Sequence, residues 1–159
     1  MSRIDELLEQ AREKLARVDP GAARAAMDGG AVLIDIRAES QRERDGVVPG
    51  AVFIARNVLE WRCDPDGANR DERVADPARR LIVMCDAGYQ SSLAAANLRR
   101  LGFDDATDVD GGFRAWLGAG LLVAQADGGD GGSGASGPAG AGGGSAAAGG
   151  GAASGKEPA

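Results

Sequence analysis

The chain has 159 residues, a formal net charge of -6, two cysteines and no histidine. Without imidazole there is no Ser-His-Asp triad, no Cys-His pair and none of the usual zinc sites. The acidic balance argues against nucleic acid or an anionic membrane as partner, which leaves proteins and small molecules. The length suits one domain with an appendage. No run approaches the roughly 18 apolar residues of a membrane span, and "MSRIDELLEQ" has no apolar h-region, so a cytoplasmic protein is expected. In that reducing compartment Cys63 and Cys85 are both read as thiols.

Ser2 and Asp5 make a capping-box start, and Ile4, Leu7, Leu8, Ala11, Leu15 and Val18 recur at helical spacing, so residues 1–18 read as an amphipathic helix lying on the domain. Asp19 as N-cap and Pro20 at the first helical position open a second helix, which Gly29-Gly30 ends. "AVLIDI" (31–36) is nearly all apolar, as a strand covered on both faces should be. "RAESQRERDG" is polar and helix-compatible, and "VVPGAVFIA" brings a turn at Pro49-Gly50 and a short strand near Val52. "LIVMC" (81–85) is a second apolar strand. The helix from about Ser91 to Leu101 ends at Gly102, with Phe103 placed to touch Leu98 in a Schellman-type stop. "DATDVD" reads as an edge strand and "GGFRAWLGAG" as a turn plus a short helix anchored by Trp116. From Ala126 onward the chain holds more than half of its 26 glycines and nothing large to bury, so residues 126–159 read as a disordered tail. Strands alternating with helices over 19–125 predict an α/β domain with a mostly parallel sheet.

In such sheets the ligand site lies beyond the carboxyl ends of the strands. Cys85 stands at one. Cysteine ending an apolar strand is as readily a small core hydrophobe as a nucleophile. The loop that follows, "DAGYQSS", is polar and glycine-containing and feeds a helix N-terminus, so its N–H groups can cradle an anion, the thiolate included.

Five segments in order, "VLIDIR" (32–37), "GVVPGA" (46–51), "VMCDAGYQSSLAA" (83–95), the helix stop "LGF" and "DVDGGFRAW" (108–116), resemble a single-domain rhodanese. The resemblance spans about 31–122. It implies a rhodanese-like α/β fold, an about five-stranded, mostly parallel sheet with helices on both faces, and a sulfurtransferase that carries a sulfane sulfur on Cys85 as a persulfide. By the same resemblance Asp86, Ala87, Gly88, Tyr89 and Gln90 form an amide-lined loop, and Asp35 and Arg37 match an Asp-x-Arg near the site. No cofactor and no metal is implied. The implied partners are a small sulfur donor or a persulfide-carrying protein, and a thiol acceptor. The chain departs from the family at Val47, where histidine is usual, and at Gln90, where arginine is common. Asp86 places a negative charge beside the nucleophile, which opposes thiosulfate and favours a persulfide donor.

Alternatives stand beside several residues. Asp35 and Arg37 also read as a structural ion pair. Ser91 and Ser92 read first as helix caps and second as hydroxyl donors to the sulfur. Ser91 occupies the position where related phosphatases carry the oxyanion-binding arginine, six residues after the cysteine, so phosphatase chemistry is not expected. Cys63 reads as a partly exposed spectator rather than a resolving thiol, Trp61 and Trp116 as packing anchors, and Tyr89 as a residue at the site mouth. The other function class is a non-catalytic rhodanese module that binds a partner or senses redox state.

Overall fold

The computed structural model describes residues 1–127, so the tail expected over 126–159 lies, beyond its first two residues, outside the described residues. Four parallel strands form the sheet: β1 (Val32–Asp35), β2 (Val52–Phe53), β3 (Leu81–Met84) and β4 (Thr107–Asp108), in the order β2-β1-β3-β4. Val32 pairs with Leu81, Ile34 with both Val83 and Val52, and Val83 with Asp108. Beyond β4 a single parallel bridge joins Val18 to Val109, so the fifth strand is one residue long.

The period of two in the strands sorts the core into two layers. Ile34, Leu81, Val83 and Cys85 face α5 (Gln90–Arg100), meeting Ala94, Ala95 and Leu98. Leu33, Ile82 and Met84 face the other way, toward Ala23 of α2 (Pro20–Asp28) and Phe113 and Trp116 of α6 (Gly112–Gly118). Helices therefore cover both faces, as unbroken apolar strands require.

Local signals account for most boundaries. The Asp19 carboxylate accepts from the Ala22 N–H at 2.8 Å and Pro20 takes the first helical position of α2. α5 ends in a full Schellman motif: the Phe103 N–H reaches Leu98 O at 3.1 Å, the Gly102 N–H reaches Arg99 O at 3.1 Å, and Gly102 has φ 103°. The polar segment after β1 forms α3 (Glu39–Asp45), where the Gln41 side chain accepts from the Ala38 N–H.

The N-terminal segment departs from the helix expected over 1–18. The Ser2–Asp5 capping box is present, but α1 spans only Arg3–Arg12. Leu8 and Leu15 are buried while Ile4 and Leu7 are exposed. Val18 leaves the helical path because its N–H and C=O bond to Asp108 O and the Asp110 N–H, and because Asp19 must be extended to cap α2. A second difference lies between β2 and β3, where a 3-10 turn (Arg56–Val58) runs into α4 (Leu59–Cys63). Leu59 and Cys63, four residues apart, share its inner face and are fully buried. Cys63 is thus core, not partly exposed. Trp61, expected as an anchor, projects outward and is 62 % exposed.

Trp116 is the anchor of α6, fully buried with its indole N–H donating to Leu122 O at 3.1 Å. Trp116→Ala is expected to cost roughly 3–5 kcal/mol of stability in urea unfolding, whereas Trp61→Ala is expected to change it by less than about 0.5 kcal/mol.

Candidate active site

Cys85 follows β3 directly, and its Sγ lies under the loop that joins this strand to α5. The Gly88 N–H points at Sγ from 3.2 Å and the Ser91 N–H from 3.4 Å, while the S–H donates to Ser91 Oγ at 3.3 Å. Two main-chain donors and the first turn of an 11-residue helix thus face one sulfur atom. This geometry needs Gly88 at φ 82°, a region side chains avoid. It also needs close packing from beneath. A Cβ on Gly88 would sit 2.6 Å from Gly111 N, and one on Gly112 would sit 2.5 Å from Cys85 O. With no side chain in the way, the N–H groups of Phe113 and Arg114 bond to the carbonyls of Cys85 and Asp86 at 2.8 and 3.0 Å. The "DGGF" segment is the floor of the loop.

Cys85 is 6 % exposed and opens onto a cavity of about 610 Å³. Ile36, Phe53 and the exposed Tyr89 give it apolar walls, and Ala87 and Gln90 lie on its rim. Three of its charged side chains, Arg37, Arg56 and Asp86, have charged partners, while the buried Nη1 of Arg37 has no hydrogen-bond partner. Arg37 is buried and bonded to both oxygens of Asp35 at 3.1 and 2.8 Å, with Gly46 O as a further acceptor at 2.8 Å and the Phe113 ring 3.7 Å beneath its guanidinium carbon. The Asp35–Arg37 pair is therefore a buried ion pair, and its Arg37 lines the cavity. Arg56 is held by Glu60 at 2.8 Å. Asp86, which the sequence left as an uncompensated negative charge, accepts from Arg114 at 2.7 Å. Among the described residues no group of acidic and sulfur side chains is arranged to hold a metal ion.

Ser91 and Ser92 do not cap α5, whose N-cap is Tyr89 with no side-chain cap bond. Both hydroxyls instead donate to Oδ2 of the fully buried Asp108, at 2.7 and 2.8 Å. Arg17 clasps the same carboxylate at 2.9 and 3.1 Å. Arg12 and Arg17 each donate to Gly88 O at 2.8 Å, and Arg12 also reaches Ser92 Oγ at 3.0 Å. Arg12, Arg17 and Asp108 were not picked out from the sequence. For Asp108 a signal was present, since it ends a strand beside β3 at the carboxyl edge of a parallel sheet.

The model of the rhodanese-like domain matches residues 19–119. The chain belongs to the rhodanese-like domain family. It is similar to the thiosulfate sulfurtransferase GlpE of Pseudomonas syringae pv. syringae, 35 % identical over 100 residues that cover 63 % of this chain and 85 % of that one. Among solved structures, a protein of unknown function from Rhodopseudomonas palustris CGA009, described as a possible tyrosine phosphatase, superposes with a TM-score of 0.71 at 28 % identity, covering 78 % of this chain and 96 % of that chain. The thiosulfate sulfurtransferase of Pseudomonas aeruginosa does so with a TM-score of 0.55 at 25 % identity, covering 69 % of this chain and 19 % of that chain. The rhodanese match begins at residue 19, so Arg12 and Arg17 reach the loop from outside it.

The two thiols should behave differently. Burial pushes the Cys63 thiol up from 9.0 to about 12, with Glu60 and Asp71 adding to the rise. Iodoacetamide is expected to label Cys85 in the native protein and to reach Cys63 only on unfolding, as read by peptide mass mapping. A thiol that ionises near its ordinary value when unfolded but stays neutral when folded contributes stability below that value and loses it as pH rises. The urea midpoint should therefore fall between pH 9 and about 12, and less steeply in Cys63→Ala.

Proposed function

We propose that this rhodanese-type sulfurtransferase takes a sulfane sulfur onto Cys85 as a persulfide and passes it to a thiol. The observation that carries the reading is the sulfur atom at the base of an open cavity with two main-chain N–H groups aimed at it. Those donors stabilise negative charge on sulfur without imidazole.

The steps balance with sulfur and thiol alone. The Cys85 thiolate attacks the outer sulfur of a donor R–S–SH, the bond between the donor's two sulfurs breaks, and its electron pair leaves as RS⁻, giving Cys85–S–SH. An acceptor thiolate then attacks the outer sulfur, the bond to Sγ breaks, and the Cys85 thiolate returns. Ser91 Oγ and the Gly88 and Ser91 amides surround the reacting sulfur, Tyr89 stands at the mouth, and the Asp35–Arg37 pair stiffens the wall.

The cavity supports an uncharged or weakly charged donor of moderate size over a compact dianion. Its volume of about 610 Å³ exceeds the needs of a small inorganic anion, and Arg37 and Arg56 each have a carboxylate partner. A low-molecular-weight or protein-bound persulfide fits these walls. The cytoplasm, where both cysteines stay reduced, is the compartment that suits such exchange. Ser91 stands six residues after Cys85 where phosphate-binding loops of related folds place arginine, which argues against phosphatase chemistry.

Intact-protein mass spectrometry after exposure to polysulfide, to an alkyl persulfide or to thiosulfate tests this reading. Wild type is expected to gain one sulfur, to gain it faster from the persulfide than from thiosulfate, and to release it to an added thiol. Cys85→Ser should gain none, and Cys63→Ser should load as wild type does. Absence of a sulfur adduct on wild type with every donor would leave the non-catalytic module.

A further inference from the structure

We propose that Asp108 is a specificity-determining positioning residue: by claiming the one proton of the Ser91 hydroxyl it turns the lone pairs of that hydroxyl toward the Cys85 sulfur and biases the loop against anionic donors. The donor bias rests on the reading of Cys85 as the sulfur-accepting residue, whereas the orientation of the Ser91 hydroxyl does not.

Both oxygens of Asp108 face donors. Arg17 Nε lies 2.9 Å from Oδ1, and Arg17 Nη2 and the two serine hydroxyls lie 3.1, 2.7 and 2.8 Å from Oδ2. Four donors and no acceptor are what an ionised carboxylate takes. A serine hydroxyl has one proton, and Ser91 gives it to Asp108. The lone pairs of Ser91 Oγ are then what Sγ meets at 3.3 Å, so the S–H is the donor in that contact. Once the S–H proton leaves to water, Oγ would set lone pairs against an anion unless it turned its own proton from Asp108 to sulfur. Two anions compete for one proton, and the carboxylate is the stronger acceptor. The amides of Gly88 and Ser91 favour the charged sulfur while the Ser91 hydroxyl favours the neutral one, and Asp108 decides which way that hydroxyl points.

The other charges around the site come from every neighbouring element. Arg17 also holds Asp110 at 2.9 Å, and Arg12 of α1 is bonded to Ser92 Oγ and Gly88 O. Asp86 of the loop is paired with Arg114 of α6, and Arg37 with Asp35 at the end of β1. Asp108 is linked to the sulfur through a single shared hydroxyl, so its effect on the sulfur passes through Ser91.

The sign of the effect makes the test. With the full chain at pH 7, the rate at which iodoacetamide alkylates Cys85 is expected to rise about tenfold in Asp108→Asn, because the amide oxygen is a weaker competitor for the Ser91 proton and one negative charge is gone. Ser91→Ala leaves the Arg17–Asp108 pair intact and removes only the acceptor of the S–H, so its rate is expected to rise about two- to threefold. In Asp108→Asn with Ser91→Ala the rise should be less than the product of the two, as coupling through one hydroxyl demands. A merely structural Asp108 would speed alkylation by the same factor at every pH, as the loop loosens around a cysteine only 6 % exposed. The proposal requires the gain in Asp108→Asn to shrink at alkaline pH, and a gain equal at every pH overturns it. A Ser91 that donates to the thiolate would give slower alkylation in Ser91→Ala. A fall or no change in either variant, with far-ultraviolet dichroism unchanged, overturns the proposal. If Asp108→Asn does not fold, the sign in Ser91→Ala decides. Loading by thiosulfate relative to an alkyl persulfide should improve about tenfold in Asp108→Asn, and an unchanged ratio overturns the donor bias. Failure of wild type to load sulfur from any donor would sink the sulfurtransferase reading while leaving the alkylation result to stand by itself.

Discussion

The loop between β3 and α5 closes around one sulfur atom because three glycines let main chain lie on main chain. Gly88 supplies a backbone angle that a side chain resists, Gly111 turns the chain into α6 at a positive φ, and Gly112 leaves room for the start of α6 to bond the carbonyls of Cys85 and Asp86. Those carbonyls point away from the sulfur, toward α6, and the Gly88 and Ser91 amides point toward it. Everything chemical in the site depends on this division. A β-carbon at Gly112 would meet the Cys85 carbonyl, and the donors would lose their aim.

Around this contact the fold supplies rigidity from four directions. β3 is central in the sheet, and Cys85 continues its α5-facing row of Leu81 and Val83, so the nucleophile stands on the core itself. The Asp35–Arg37 pair, bonded on both carboxylate oxygens and stacked on Phe113, fixes the neighbouring strand end. A desolvated pair of this kind adds little net stability but holds a defined geometry. From the N-terminal side Arg12 and Arg17 converge on Gly88 O, tying α1 and the Val18 bridge to the loop. Asp108 gathers β4, the α5 serines and Arg17 into one buried cluster.

The sequence made local features legible and long-range ones much less so. Asp19-Pro20, Leu98-Gly102-Phe103 and the apolar runs of β1 and β3 each carry their reasons within a few residues, and each forms where expected. Cys85 and its loop stood out because a polar, glycine-containing turn after an apolar strand has few other uses. Arg17 meets Asp108 across 91 positions, and Arg12 meets Gly88 across 76. No spacing rule reaches that far. Val18 fitted the helical period of α1, yet its backbone is claimed by Asp108 and Asp110, contacts that exist only once β4 is in place. Trp61 and Cys63 misled for a related reason: hydrophobicity says that a residue prefers burial, and the phase of a five-residue helix decides which one obtains it.

The most direct test of the account is a crystal structure of the protein after loading with polysulfide. One added sulfur is predicted on Cys85 Sγ, inside the loop, with main-chain N–H groups between Ala87 and Ser91 turned toward the pair of sulfur atoms and Gly88 keeping its positive φ. An added sulfur directed away from these amides, or a loop whose carbonyls turn inward to meet it, would contradict the account at its foundation.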